Sequence, residues 1–595
     1  MNKDITESLQ IIKKNLNVKS IIGALGFIFL LWLTLRPVEL RLDGADELLI
    51  WAMPVFVLVA LPMLFLRKGK IHVSVIDWLV VLWMIYFVCR TWMGGEYACA
   101  TQFLKNTMMF VLYFVARIFF GCYKTPAKIM MFLIMLFGCY EALWGLVQII
   151  NGSSRHYLYL LTGNFQNPGP YSAYLTITAV IGAVWILRIR TWKYVKWEKY
   201  VVAGMTMCCL VVLPATWSRA AFVTLGLIAL WIYRDKYKKY KYLVWFLLLL
   251  LAVGFYFIKQ GSADGRMLIW QATLTSWLHS PWLGGGIGSF NNMCSEGIAE
   301  MYLANQNSNL FDSAGVADYA YNDFLRILAE QGVAGAVLTL AIVVLVMIRI
   351  YKCSRPLFYG LLSLIIFSMF SYPFELLPYR IIAISIAAWT LSVQKDRSSL
   401  RVNKFFIIFA SCMICVACYF LYKEITPRKT ADKDYSMFSG IKHAAFIDDY
   451  YDLLPQEYDN PTFLFDFAKS LRTQNRFNDS NAFLKLGTKV CCDPMFYVLI
   501  GNNYSDMGLY KLAEKSYKKA YAIMPNRMYP LYQMMNMYEQ SGQHKRALLM
   551  AKRIINYTPK IKSPATEEMK EKASNLVMGK VVSDENENDD LLKDN

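Results

Sequence analysis

The sequence is poor in charge. Of its 595 residues, 18% are Asp, Glu, Lys or Arg, against about 25% in soluble domains. Hydrophobic residues make up 56% and mean hydropathy is +0.33, which excludes a chain that is soluble throughout. Histidine is scarce: His72, His156, His279, His443 and His544 are scattered, and the 13 cysteines show no metal-ligand spacing. Most cysteines lie in apolar runs, and Cys491 and Cys492 are adjacent, so no disulfide framework is read. The "GGG" at 284–286 lacks the Lys-Ser/Thr that a nucleotide loop needs and reads as a flexible turn. Neither metal nor nucleotide cofactor is expected. The first apolar run has no small-residue cleavage site and is followed by further runs, so no cleavable signal peptide is expected.

Apolar runs dominate instead, many of them near the roughly 17–25 residues that cross a bilayer. We count thirteen, at about 20–35, 48–66, 73–90, 106–122, 129–150, 171–188, 200–214, 219–233, 242–258, 333–351, 356–372, 379–394 and 404–422. They predict an all-α, polytopic transmembrane bundle of about 12–13 spans. Lys and Arg concentrate in alternate loops: "RKGK" (67–70), "YKTPAK" (123–128), "RIRTWKYVKWEK" (188–199), "RDKYKKYK" (234–241), "RIYKCSR" (349–355) and "QKDRSSLRVNK" (394–404). Cytoplasmic loops carry such an excess. Residues 1–19 are therefore expected inside, and everything after Tyr422 outside. The formal net charge of +19 belongs mostly to this collar, and nucleic acid need not be invoked.

Two parts are expected outside the membrane. A long loop, 259–332, contains "GRMLIWQATLTSWLHSPWLGGGIGSF", in which Met267, Trp270, Leu274 and Trp277 fall at helical spacing. That pattern predicts a helix on the membrane surface. The tail repeats: "GLYKLAEKSYKKAYAIMP" (508–525) is echoed by "GQHKRALLMAKRIINYTP" (542–559), with a weaker copy at 475–494. Gly508 and Gly542, Ala513 and Ala547, and Pro525 and Pro559 each stand 34 apart, the tetratricopeptide period. Residues 423–570 are thus read as a repeat domain able to hold a protein partner in a groove. The acidic stretch 571–595 is read as disordered.

One apolar run is interrupted. "VVAGMTMCCLVVLPATWSRAAFVTLGLIALWIY" (201–233) carries Pro-Ala-Thr-Trp-Ser-Arg at its middle. Loop alternation makes this an outer turn, with Arg219 at the start of a span. Arg155, Arg266 and Arg380 are also expected on the outer side. A single such arginine can snorkel to headgroups. Several on one side suit an anion, because guanidinium binds phosphate in bidentate fashion.

The stretches "GNFQNPGPYSAYL" (163–175), "WSRAAFVTLGL" (217–227), "GRMLIWQATLTSWLHSPWLGGGIGSF" (265–290) and "YNDFLRILAEQGVAGAVL" (321–338) resemble, in order and spacing, motifs of the O-antigen ligase and polymerase superfamily. "ALWGLVQ" (142–148) resembles its preceding helix. The resemblance covers roughly 20–395, and a tetratricopeptide tail recurs on such cores. It implies a fold like the type-C membrane glycosyltransferases and transfer of a glycan from undecaprenyl pyrophosphate at the outer face of the bacterial cytoplasmic membrane. The implied acceptor is lipid A–core for ligases, another lipid-linked glycan for polymerases, or a protein hydroxyl for related oligosaccharyltransferases. It implies no nucleotide or metal.

The same resemblance places Arg219 and Arg266 at the family's two functional arginines, which would stabilise charge on the departing pyrophosphate. The family's usual His is replaced by Tyr321, and a neutral phenol with pKa about 10 is a poor base. Asp318 or Asp323 could take the proton instead, arginine-driven departure could suffice with Tyr321 only orienting the acceptor, or the enzyme is inactive. Arg155, Asn164, Asn167, Asn322 and Arg380 are candidate substrate contacts at the outer mouth. Glu141 and Gln148, seven apart on one helix, are either intramembrane functional groups or partners in a hydrogen bond across the bundle. A lipid-linked-glycan transporter would show pseudo-repeated halves, and the first 420 residues show no clear symmetry. A scaffold that only presents the repeats would tolerate lysine at 219 and 266, whereas a bidentate phosphate site would not.

Overall fold

The computed structural model describes residues 18–591 apart from 39–40, 43, 67–70, 94–98, 190–195, 259, 307, 395–399, 440–446 and 560–561. The expected cytoplasmic N-terminus and much of the basic collar lie outside the described residues. The helices run, in chain order, α1 Val18–Thr34, α2 Gly44–Leu66, α3 Val75–Met93, α4 Ala100–Cys122 and α5 Ala127–Asn151. They continue with α6 Pro168–Ile189, α7 Lys196–Val212, α8 Arg219–Tyr233, α9 Lys241–Ile258, α10 Gln260–Trp277 and α11 Phe290–Ala304. Then come α12 Asp323–Cys353, α13 Arg355–Ser368, α14 Leu377–Val393 and α15 Lys404–Phe438. Eight of these are long and apolar enough to cross a membrane, and α1, α8, α13 and α14 are shorter apolar helices. Each of the thirteen apolar runs falls on a helix, as a polytopic helical membrane protein requires.

The chain divides into two compact units. The first comprises Met1–Met93, Ala100–Phe255 and Ala320–Lys429. Its centre is α4 and α6, whose apolar windows are 72% and 83% buried, whereas those of α3 and α12 are 22% buried and keep apolar faces outward. Helices apolar all round belong inside a bundle or in lipid. The buried hydroxyls of α6 cost little, because Thr176 and Thr178 donate to the carbonyls of Ser172 and Tyr174, four residues back. Gly138 on α5 lets Thr178 approach its backbone, the small-residue contact typical of membrane helix pairs.

At one end of this unit, strand β1 (Ile71–Val73) pairs antiparallel with β2 (Leu400–Val402). Beside it Arg117 holds Asp77 through Nε and Nη2, both at 2.8 Å, and donates to Ser392 and the His72 carbonyl. Tyr113 and Ser74 supply the remaining donors to Asp77. A buried charge is tolerated when paired and hydrogen-bonded in this way.

Helix α12 is broken. Gly332 has φ 63° and ψ −169°, a conformation essentially confined to glycine. The break is pinned from α3, where Trp83 Nε1 donates to Gln331 Oε1 and Tyr86 Oη to the Gln331 carbonyl. Residues 323–331 are therefore a separate helical segment of the first unit. The long loop that the sequence placed at 259–332 stops short of Gly332 and gives way to the first unit at Ala320.

The second unit comprises Gly94–Cys99, Tyr256–Tyr319 and Thr430–Asn595. After α16 (Ile447–Glu457), three helix pairs follow: α17 Pro461–Thr473 with α18 Phe477–Val490, α19 Met495–Asp506 with α20 Tyr510–Ile523, and α21 Tyr529–Gln540 with α22 His544–Ile555. Asn475, Gly508 and Gly542, all at positive φ, make the turns within the pairs. Ala513 and Ala547, 34 apart, are fully buried. The last helix, α23 (Pro564–Leu591), runs on through the stretch expected to be disordered.

The loop helices α10 and α11 pack against each other, and α11 packs on α18 and α20. Helix α10 buries Leu268, Ile269, Ala272, Thr273 and Ser276. The apolar stripe lies on the other face, with Met267 and Leu274 exposed. Gly297 of α11 sits directly on the Ala272 backbone, and a Cβ there would overlap the Ala272 carbonyl. Backbone cannot yield as a side-chain tip does. Gly297→Ala should therefore separate α10 from α11 and cost about 1–3 kcal/mol, read as a lower unfolding midpoint and faster amide exchange across 260–304.

Candidate functional site

Helix α5 supplies two polar side chains to one turn. Gln148 is buried; its Oε1 accepts from the Thr162 and Gly163 amides at 3.0 and 2.8 Å, and its Nε2 donates to the Gly163 carbonyl. Glu141, equally buried, accepts from Asn164 Nδ2 at 2.7 Å and from the Asn164 amide. Seven residues on a helix are two turns, so the two side chains reach neighbouring points of one loop. Glu141 and Gln148 thus hold the turn at 162–164, and Asn164's amide group is engaged by Glu141. The Asn164 carbonyl accepts from Arg155 Nη1 and from the Val38 amide. Asn167 folds back to accept from the Gly169 amide, starting α6. These groups shape the loop first. The exposed Tyr157, Leu158 and Leu160 are its outward face.

Arg219 is the first residue of α8, with Ser218 before it in an extended conformation. Positive side-chain charge and the positive end of the helix dipole coincide there, which is unfavourable without an anion. Trp217, next to it, is exposed and left-handed, at φ 49°. Tyr321 is left-handed too, at φ 51°, and its ring meets Tyr372 edge-on at 5.5 Å. Among the described residues, three non-glycine residues have positive φ, and two of them lie in the motif stretches. Strain of about 1–3 kcal/mol per residue concentrates at functional sites.

Asn322 caps α12, its Oδ1 accepting from the Leu325 amide at 3.1 Å. Asp323 is buried and accepts from the Phe374 amide at 3.0 Å. Asp323 adjoins an ion-pair network of whose members only Arg380 is a site candidate from the sequence. Arg326 bonds Glu330 and Glu375, each at 3.0 Å. Arg380 reaches Glu375, Asn106 and the Phe374 carbonyl, and Gln102 donates to Glu330. Arg380 is thereby committed to its own chain. A cavity of about 310 Å³ opens beside this network, with apolar walls such as Val343, Met347 and Ile365. The Arg326–Glu330 pair has the i, i+4 spacing visible in sequence; Glu375 has no such local signal.

In the second unit Arg266 is partly buried on α10. Asp318 is exposed, yet the surrounding protein mass and the Asp493 carboxylate push its carboxyl above the usual range. A raised folded value means that stability is fully present at low pH and falls as pH rises through that value. Asp318→Asn should therefore stabilise the unit at neutral pH relative to wild type, with the difference vanishing in acid. Paired thermal melts between pH 4 and 8 check this. Among the described residues, no group of three or more His, Cys, Asp or Glu is placed to hold a metal ion.

The fold and these features define a multi-pass helical membrane protein with strained, arginine-bearing turns. Residues 204–340 match the family model described as O-antigen ligase. No curated protein matches the chain. The matched segment contains Arg219, Arg266, Asp318, Tyr321, Asn322 and Asp323, and also Arg326 and Glu330; the loop-shaping groups of α5, Arg380 and the tail lie outside it. The match supports the superfamily resemblance and a ligase- or glycosyltransferase-type enzyme of the membrane.

Proposed function

We propose that the chain transfers a glycan from undecaprenyl pyrophosphate to an acceptor hydroxyl at the outer face of the cytoplasmic membrane. Lipid A–core is the favoured acceptor; another lipid-linked glycan or a protein hydroxyl is the alternative. The observation that carries this reading is the O-antigen ligase match over 204–340, within which Arg219 opens a helix beside a strained tryptophan.

In the step, the bond from the sugar's anomeric carbon to the phosphate oxygen breaks, and the acceptor oxygen bonds that carbon. The electron pair leaves with the pyrophosphate, whose added charge Arg219 and Arg266 stabilise. The acceptor proton passes to Asp318, because a carboxyl held above its usual range is the better base near neutrality. Tyr321 orients the acceptor. Asp323 is engaged by Phe374 and serves to position this segment. The helix pairs of the tail are read as tetratricopeptide repeats outside the membrane.

The test is a purified-protein assay with a synthetic undecaprenyl-pyrophosphate glycan and each acceptor class in turn. Wild type should release undecaprenyl pyrophosphate, and Arg219→Ala and Arg266→Ala should release it about 10²–10³-fold more slowly. Tyr321→Phe should keep donor affinity and lose acceptor discrimination. No release by wild type with any acceptor would sink the reading.

A further inference from the structure

The tail does more than stand beside the outer loop in sequence. Within the second unit the loop's polar groups meet the ends of successive repeat helices. Asn291 and Asn292 side chains donate to the carbonyls of Val490 and Thr488. Glu296 pairs with Lys519, and the Ala317 amide donates to Cys492 Sγ. Tyr302 packs edge-on against both Phe311 and Tyr521.

One contact leads to Arg266. Asn526, in the connection between α20 and α21, donates from Nδ2 to the carbonyls of Asp312 (3.0 Å) and Ala314 (2.7 Å). These two carbonyls bracket Ser313, the end of a short 3₁₀ turn, Asn309–Ser313. The Ser313 carbonyl lies against Gly265, 3.3 Å from where a Cβ would stand. Gly265 immediately precedes Arg266. A single carboxamide in the repeats thus fixes the turn on which the Arg266 backbone rests.

We propose that Asn526 is a positioning residue for Arg266, and that the repeats set the placement of this arginine. The inference rests on the reading that Arg266 acts on the pyrophosphate. It assigns the tail a role inside the transfer reaction, besides any partner it binds. Removing the whole tail would therefore abolish transfer by releasing α10 and α11, whether or not a partner exists.

Asn526→Asp is isosteric but cannot donate, and it sets a carboxylate against two carbonyl oxygens. Asn526→Gln keeps the donor on a longer arm. The experiment uses the full chain in lipid nanodiscs, with hydrogen exchange read by peptide and with kcat and KM for the lipid-linked donor. Asn526→Asp is expected to quicken exchange over 260–270 and 309–318, leave α19–α22 unchanged, and lower kcat about 10–100-fold at constant KM. Asn526→Gln should recover part of both effects. Unchanged exchange over 260–270, or quickened exchange there without loss of kcat, overturns the proposal, as does uniform loosening of α19–α22. Full activity of Arg266→Ala would instead overturn the role given to Arg266, while the exchange over 260–270 would still report whether Asn526 holds that segment.

Discussion

Arg219→Ala and Arg266→Ala are each expected to lower glycan transfer by about 10²–10³-fold, with donor affinity less affected. In the proposed transfer the pyrophosphate gains charge as the sugar–oxygen bond breaks, so a guanidinium beside it would contribute more in the transition state than in the bound donor. The two arginines should differ in their tolerance of lysine. Arg219 opens α8, where helix N–H groups would also bind an anion, so Arg219→Lys should retain part of the rate. Arg266 lies within α10 and has only its planar fork to offer, so Arg266→Lys should be nearly as damaging as alanine. Single-turnover rates with a saturating donor measure both. Equal, full activity of the lysine variants would overturn the bidentate role given to these arginines.

Glu375→Ala is expected to be the most destabilising single substitution in the first unit, at about 3–5 kcal/mol. Glu375 is the carboxylate shared by Arg326 and Arg380, at 3.0 and 3.7 Å, with all three side chains at most 18% exposed. Removing it leaves two guanidiniums in a low-dielectric interior with Glu330 and Asp323 as the remaining acids. The loss should appear as a lowered unfolding midpoint in detergent. Replacing Arg326, Glu330, Glu375 and Arg380 together by apolar residues should recover much of it, because only a fully apolar substitute carries no stranded charge. A single variant as stable as wild type would show that water reaches this network freely.

Much of the architecture was legible before the structure. Apolar runs, read by length, located most helices of the first unit to within a few residues, with α12 and α15 extending well beyond theirs. The 34-residue period located α19–α22 and their glycine turns. The interruption at Pro-Ala-Thr-Trp-Ser-Arg marked the turn before α8. Glu141 and Gln148 were visible as a pair on one helix face, though not their common target at 162–164. Asn322 is a candidate substrate contact in sequence, and the helix cap made by its side-chain oxygen emerged only in the structure. The 31-residue α12 began ten residues before its apolar run, because Gly332 breaks it and the charged first segment packs inward. Glu375, 49 residues after Arg326 in the chain, gave no sign of joining it.

The sequence by itself determined the solvent and the periodicities, since hydropathy and helical spacing are local properties of consecutive residues. It also determined which arginines lie in motif context. Tertiary structure decided which polar groups satisfy one another. Glu375 between Arg326 and Arg380, Glu141 at the Asn164 turn, and Asn526 under the Ser313 turn are pairings between distant parts of the chain. A buried donor or acceptor must find a partner, but the choice of partner depends on which backbones the packing brings within about 3 Å, and no local pattern records that.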